Sequence, residues 1–163
     1  RQQEITIGED GSYEKGNITK NTTLRDNGGN KIEIVETFDK SGTKTLLNRT
    51  KNGKLDGEQI EYLENGNIFT KESFKDGLKD GPTTDYYPDG SVNQESNWKD
   101  GKKEGNQESF YRNGEIRTQQ YYKNGNKDGV QRSYYENGNK ATKTEKWQEF
   151  KKNIMRMVKL KQK

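Results

Sequence analysis

Aromatic and aliphatic positions recur along the chain with a period of 24 residues. Tyr62, Tyr86, Phe110 and Tyr134 form one column, Ile68, Val92 and Ile116 a second, and Phe74, Trp98 and Tyr122 a third. Between them apolar and polar residues alternate, the period-two signature of strands whose successive side chains face opposite ways. Ile68 and Phe74 are an even number of residues apart, so the pattern predicts that all three columns share a buried face. A fourth column, Leu63, Tyr87, Tyr111 and Tyr135, falls on the opposite face among polar positions such as Glu61, Asp85, Ser109, Gln119 and Lys143. It reads as an exposed aromatic ladder, either a binding face or cross-strand packing that stiffens a thin sheet.

Glycines mark the turns. Gly53, Gly77, Gly101 and Gly125 are one 24-residue column, Gly57, Gly81, Gly105 and Gly129 another, and Gly66, Gly90, Gly114 and Gly138 a third. Asn65-Gly66, Asp89-Gly90, Asn113-Gly114 and Asn137-Gly138 are pairs that favour tight hairpins, because both residues tolerate positive φ. The pattern predicts a tight turn there and a longer six-residue connection at the other end of each unit, as at residues 76–81. Chained hairpins of this kind form an antiparallel meander.

The full units are 51–74, 75–98, 99–122 and 123–142, preceded by a degenerate repeat at 27–50, where Phe38 aligns with Tyr62 and Ser41-Gly42 with Asn65-Gly66. Residues 1–26 fit no clean register, although Asp10-Gly11 and Lys15-Gly16 read as turns. They are expected to form an irregular N-terminal β cap, since the end units of an array are atypical. The register breaks in the last unit, where Lys140 replaces the aliphatic residue and Trp147 falls one position late, predicting a bulge or the end of the sheet.

From Lys143 onward the period changes. Trp147, Phe150, Ile154 and Val158 are spaced 3, 4 and 4 apart, which is helical, and Met157 and Lys161 extend that face. Lys151, Lys152, Arg156, Lys159 and Lys163 make the remainder basic, so residues 143–163 are predicted to be a basic amphipathic helix. Its apolar stripe is expected to dock over the last strand as a cap. Contact of Lys151, Lys152, Arg156 and Lys159 with an anionic membrane is a second reading, and docking to a partner's helix a third.

Composition fits an array better than a globule. Leu, Ile, Val and Phe make up roughly 15% of the chain, which is low enough to suggest disorder. Nine Tyr, two Trp, five Phe and a net charge of only +4 oppose disorder. A thick core is excluded, whereas a repeat unit needs only to cover its neighbours. The balance of 30 basic and 26 acidic residues argues against a nucleic-acid partner. No apolar run approaches the roughly 20 residues of a membrane span. The chain begins at Arg1 rather than Met, so removal of a signal by processing would favour export or the cell envelope, and otherwise the cytoplasm.

Candidate chemistry is sparse. With neither Cys nor His, the chain lacks a thiol nucleophile and the commonest general base and metal ligand. The acidic column Asp56, Asp80, Glu104 and Asp128 follows Asn52, Asp76, Asp100 and Asn124, but each turn offers only two such side chains, among lysines. A calcium loop needs more converging oxygens than that, so the column reads as turn chemistry. The glycines never occur in the strand-to-helix setting of a phosphate loop. No catalytic residue, cofactor or metal site is assigned, and the chain reads as non-enzymatic.

The pattern K-[DN]-G-x-x-[DE]-G followed by Y-x2-[ND]-G resembles the bacterial variant of the MORN repeat, and within it the YwqK-type proteins labelled as antitoxin components. The resemblance covers 51–140 well and 27–50 weakly. It implies an interaction platform. The expected fold is all-β: an elongated single-layer antiparallel β-hairpin repeat array with a C-terminal amphipathic α-helix cap. The expected function is a non-catalytic protein–protein interaction or scaffold module, with Leu63, Tyr87, Tyr111 and Tyr135 as the candidate partner-binding face. Neutralising a cognate toxin is the version that the resemblance implies. The alternatives are an exported or membrane-associated array touching lipid through its basic tail, and glycan binding through exposed aromatics.

Overall fold

The computed structural model describes the backbone of residues 6–8, 17–141 and 143–161, and side chains within 17–141 and 150–161. The turns expected at Asp10-Gly11 and Lys15-Gly16, the side chain of Trp147 and the terminal Lys163 lie outside the described residues.

Among the described residues, fourteen strands form one open sheet in which every pairing is antiparallel. Strands β1 (Thr6–Gly8), β2 (Ile18–Arg25), β3 (Lys31–Phe38) and β4 (Lys44–Lys51) open it. Three similar sets follow: β5 (Lys54–Leu55), β6 (Gly57–Tyr62) and β7 (Ile68–Lys75); then β8 (Leu78–Lys79), β9 (Gly81–Tyr86) and β10 (Val92–Lys99); then β11 (Lys102–Lys103), β12 (Gly105–Phe110) and β13 (Ile116–Lys123). Strand β14 (Asn126–Ser133) ends the sheet, and helix α1 (Lys143–Lys161) follows. Long strands pair in chain order, with the two-residue strands as side branches. The sheet is therefore a single layer, as the periodicity predicts.

No thick core forms. Ile32, 5% exposed, is the buried apolar side chain among the described residues, and the others buried are Gln59, Thr83, Ser96 and Gln120. The ladder hydrogen bonds and the contacts between successive units carry the fold.

The register corrects the predicted faces. Gly57 pairs with Phe74 and Gln59 with Glu72, but Glu61 pairs with Thr70 and Tyr62 with Ile68, which leaves Phe69 as an inserted residue. The same shift leaves Asn93 and Arg117 over in the next two units. This bulge cancels the even spacing between Ile68 and Phe74. Phe74, Trp98 and Tyr122 consequently lie on one face with Gln59, Thr83 and Gln120, while Tyr62, Tyr86 and Phe110 lie on the other. All six rings are half-buried.

The two kinds of turn also exchange places. Asn52, Asp76, Asp100 and Asn124 have φ of 50, 49, 48 and 51°, and the glycines after them have φ of 81, 86, 81 and 82°. Two consecutive left-handed residues define the two-residue type I′ hairpin turn. At Asn65-Gly66 only the glycine is left-handed, at 84°. There a wider loop is closed by Leu63 N–H donating to Asn67 O and Gly66 N–H to Leu63 O, both at 2.8 Å.

The sheet ends where the register breaks. An isolated bridge between Tyr134 and Lys140 stands in place of the last second strand. Helix α1 forms where the spacing predicts it. Its side chains from Phe150 to Lys161 are all exposed, so this stretch does not lie under the last strand as a docked cap would. Residues Asn126 to Arg132 of β14 are themselves exposed and, apart from Val130, polar, charged or glycine, and such a strand offers an apolar stripe little to cover.

Candidate interaction surfaces

Two edges and one face of the array carry repeated side-chain geometry. The first edge holds the wide turns and the predicted ladder. Tyr87 Oη donates to Phe110 O and Tyr111 Oη to Tyr134 O, each at 2.8 Å and each reaching into the following unit. Leu63, at the same repeat position, has no hydroxyl to donate. Tyr135 has no following unit and is 56% exposed. The four side chains thus share one edge, but Leu63, Tyr87 and Tyr111 are half-buried rather than exposed. Arg112 lies over the Tyr87 ring, 5.4 Å from its centroid. Neighbouring turns are tied as well, since Asn65 and Asn67 amides donate to Pro88 O at 3.0 and 2.9 Å. The Ser91 hydroxyl and backbone N–H hold the Asp89 carboxyl below its usual range, with Arg112 adding to the effect.

The opposite edge explains the acidic column. Gly77, Gly101 and Gly125 N–H donate to the carbonyls of Leu55, Lys79 and Lys103 at 2.8, 2.8 and 2.9 Å. Beside them, Asp100 N–H donates to Asp80 Oδ2 at 3.1 Å and Asn124 N–H to Glu104 Oε2 at 2.7 Å; Asp76 N–H reaches Asp56 Oδ2 at 3.5 Å. Each of these three type I′ turns presents two backbone N–H groups, and the preceding unit supplies a carboxylate and a carbonyl to receive them; at the first turn Asn52 N–H donates instead to Lys31 O at 2.8 Å. The Asp100 N–H holds the Asp80 carboxyl below its ordinary value, helped by Lys99 at 3.4 Å. The column therefore staples consecutive units.

One face carries an alternating column of lysines and aromatic rings. Phe74 lies across from Lys79 and Trp98 from Lys103, with Tyr122 across from Lys127. Lys79 Nζ is 4.9 Å from the Trp98 ring centroid, and Lys103 Nζ is 5.7 Å from Trp98 and 4.9 Å from Tyr122. Lys79 also pairs with Glu72 at 2.6 Å, and Lys103 donates to Gln107 Oε1 at 2.6 Å. Sequence reasoning missed this column. Its signal was present, because Lys79, Lys103 and Lys127 are themselves 24 apart.

The basic tail residues Lys151, Lys152, Arg156 and Lys159 lie together with Met155 along one shallow groove of α1. Among the described residues, no helix is long and apolar enough to cross a membrane.

Comparison with known families follows the same period. The MORN repeat variant matches residues 55–76, 79–100, 103–124 and 127–145, together just over half of the chain. No match was found among curated proteins. MORN repeats are non-enzymatic modules that commonly serve protein or membrane interaction. With hairpin units, glycine columns and inter-unit staples all following one 24-residue period, the chain belongs to the MORN repeat variant family.

Proposed function

We propose that the array is a scaffold that binds a protein partner along its wide-turn edge, with Leu63, Tyr87, Tyr111 and Tyr135 as the contact row. The observation that carries this reading is the tethering of the tyrosine hydroxyls. Tyr87 and Tyr111 are each fixed by a bond into the next unit, which leaves their half-exposed rings held in place. A ring immobilised before binding loses little further entropy when a partner covers it, and rigid aromatics dominate many protein interfaces. Arg112 over Tyr87 adds a second group typical of such contacts. The repeat spacing suits an extended segment rather than a small ligand, since a single-layer sheet encloses no dry cavity. Neutralisation of a toxin is one concrete form of this function, and it rests on the resemblance to YwqK-type proteins.

The test replaces Tyr135 with a photo-crosslinking phenylalanine analogue in cells of the source organism, with Glu58 on the sheet face as control. The reading predicts a discrete adduct from position 135 and none from 58. Affinity for the crosslinked protein should then fall at least tenfold in a Tyr87→Ser/Tyr111→Ser/Tyr135→Ser variant that keeps its β circular dichroism. Unchanged affinity in that folded variant refutes the contact row. If the adduct is a toxin, co-expression should restore growth.

A further inference from the structure

From the exposed tail we infer that α1 is an interfacial helix that adsorbs to an anionic phospholipid surface. This does not rest on the protein-partner reading, because α1 lies outside the four hairpin units.

Charge is the first observation. Residues 143–163 hold eight basic and two acidic residues, more positive than the whole chain at +4, so the remainder is slightly negative. From residue 150 to 161 there are five basic residues and no acidic one. A chain whose two parts differ in sign in this way points to a charged surface as partner.

Geometry is the second. At about 100° per residue, Phe150, Ile154, Met157 and Val158 fall on one side of α1 with Lys161 among them near the helix end, Lys152, Arg156 and Lys159 fall on the other, and Lys151 lies at the boundary. Ile154, Val158 and Met157 are 41, 52 and 62% exposed, and Leu160, flanking that stripe, is 70% exposed, whereas Met155 lies among Lys151, Lys152, Arg156 and Lys159. The apolar arc is therefore wider than the narrow seam of a two-helix pairing. In such a pairing Leu160 would stay in water, and two strongly basic helices would repel each other. A bilayer interface accepts the whole arc, while the long lysine and arginine stems reach the headgroups.

The experiment is flotation of the full chain with vesicles of phosphatidylcholine alone or mixed with phosphatidylglycerol. The inference predicts binding to the mixed vesicles, at least tenfold weaker binding to neutral ones, and loss of binding at high salt. Lys152→Glu/Arg156→Glu/Lys159→Glu and, separately, Ile154→Asp/Val158→Asp should each abolish flotation. The chain has no cysteine, so an environment-sensitive dye at Val158→Cys or Arg156→Cys gives an independent readout should a variant misfold. Emission should shift to the blue at 158 and stay unchanged at 156. Failure to float with anionic vesicles, equal binding to neutral ones, or binding that survives both variants overturns the inference. So does a lipid-free dimer in sedimentation that Ile154→Asp dissociates, since the stripe would then belong to a second copy.

Discussion

Asp80 and Asp128 occupy the same repeat position in different surroundings. Asp80 accepts the Asp100 N–H of the next unit's turn, whereas the unit after Asp128 is replaced by α1. Asp80→Ala should therefore lower the melting temperature, and Asp128→Ala should leave it unchanged; thermal denaturation followed by circular dichroism decides. The same bonds set the acid response. Asp26, Asp39, Asp80 and Asp89 all have carboxyls held below their ordinary value, chiefly by hydrogen bonds from Asn30, Ser41, the Asp100 backbone and Ser91. A depressed native pKa stabilises the fold fully above the unfolded value of about 3.9, and that stabilisation is lost as pH falls through the lower native value. The melting temperature should be flat from neutral pH to about pH 5 and fall below about pH 4. On the other edge, Tyr111→Phe keeps the ring but removes the donor to Tyr134 O, and should cost about 0.5–1.5 kcal/mol in urea denaturation.

At the scale of the element, the sequence made the units legible and their local geometry less so. The 24-residue glycine and aromatic columns located the hairpins, and the 3-4-4 spacing located α1. The choice between tight and wide turn was not legible, because an Asn-Gly or Asp-Gly pair stands at both ends of each unit. What separates the ends is the pairing that follows, since Lys54 and Leu55 pair at once with Lys51 and Thr50. The inserted Phe69 was equally invisible, as a bulge leaves composition unchanged while reversing which face each later residue occupies. For the candidate row, its alignment in one column was readable, but its place at the wide-turn edge rather than on an exposed face, and the tyrosine hydroxyl bonds into the next unit, were not. The glycine that ends each six-residue connection gives a test at this scale. Gly57 has φ of 97°, and a Cβ there would lie 2.6 Å from Arg49 Nη1, whereas at Gly105, with φ of 85°, a Cβ would meet nothing within 4 Å. Backbone strain alone costs about 1–3 kcal/mol. Gly105→Ala should show that loss in chemical denaturation, and Gly57→Ala the same loss plus that of the Arg49 bond to Asp56 O, because the guanidinium must swing aside.

As a whole molecule the protein is close to one-dimensional. Each unit touches its sequence neighbours, its buried side chains are mostly polar, and its stability comes from ladders and staples rather than from a shared apolar interior. Arrays of this kind lose or gain units without losing their fold, provided that register is kept. Removing residues 75–98 would join Phe74 to Lys99, bring the next turn under Asp56, and preserve every column. Removing residues 75–86 would delete half a period and set the wide turn of residues 87–91 directly after β7, so that this turn and every later one falls on the wrong edge, away from its staple. The direct measurement is circular dichroism with urea denaturation of these two deletion variants. The account predicts that the 24-residue deletion retains the β spectrum and a cooperative transition at lower urea, and that the half-period deletion unfolds. Unfolding of the full-period variant, or equal stability of the two, would contradict it.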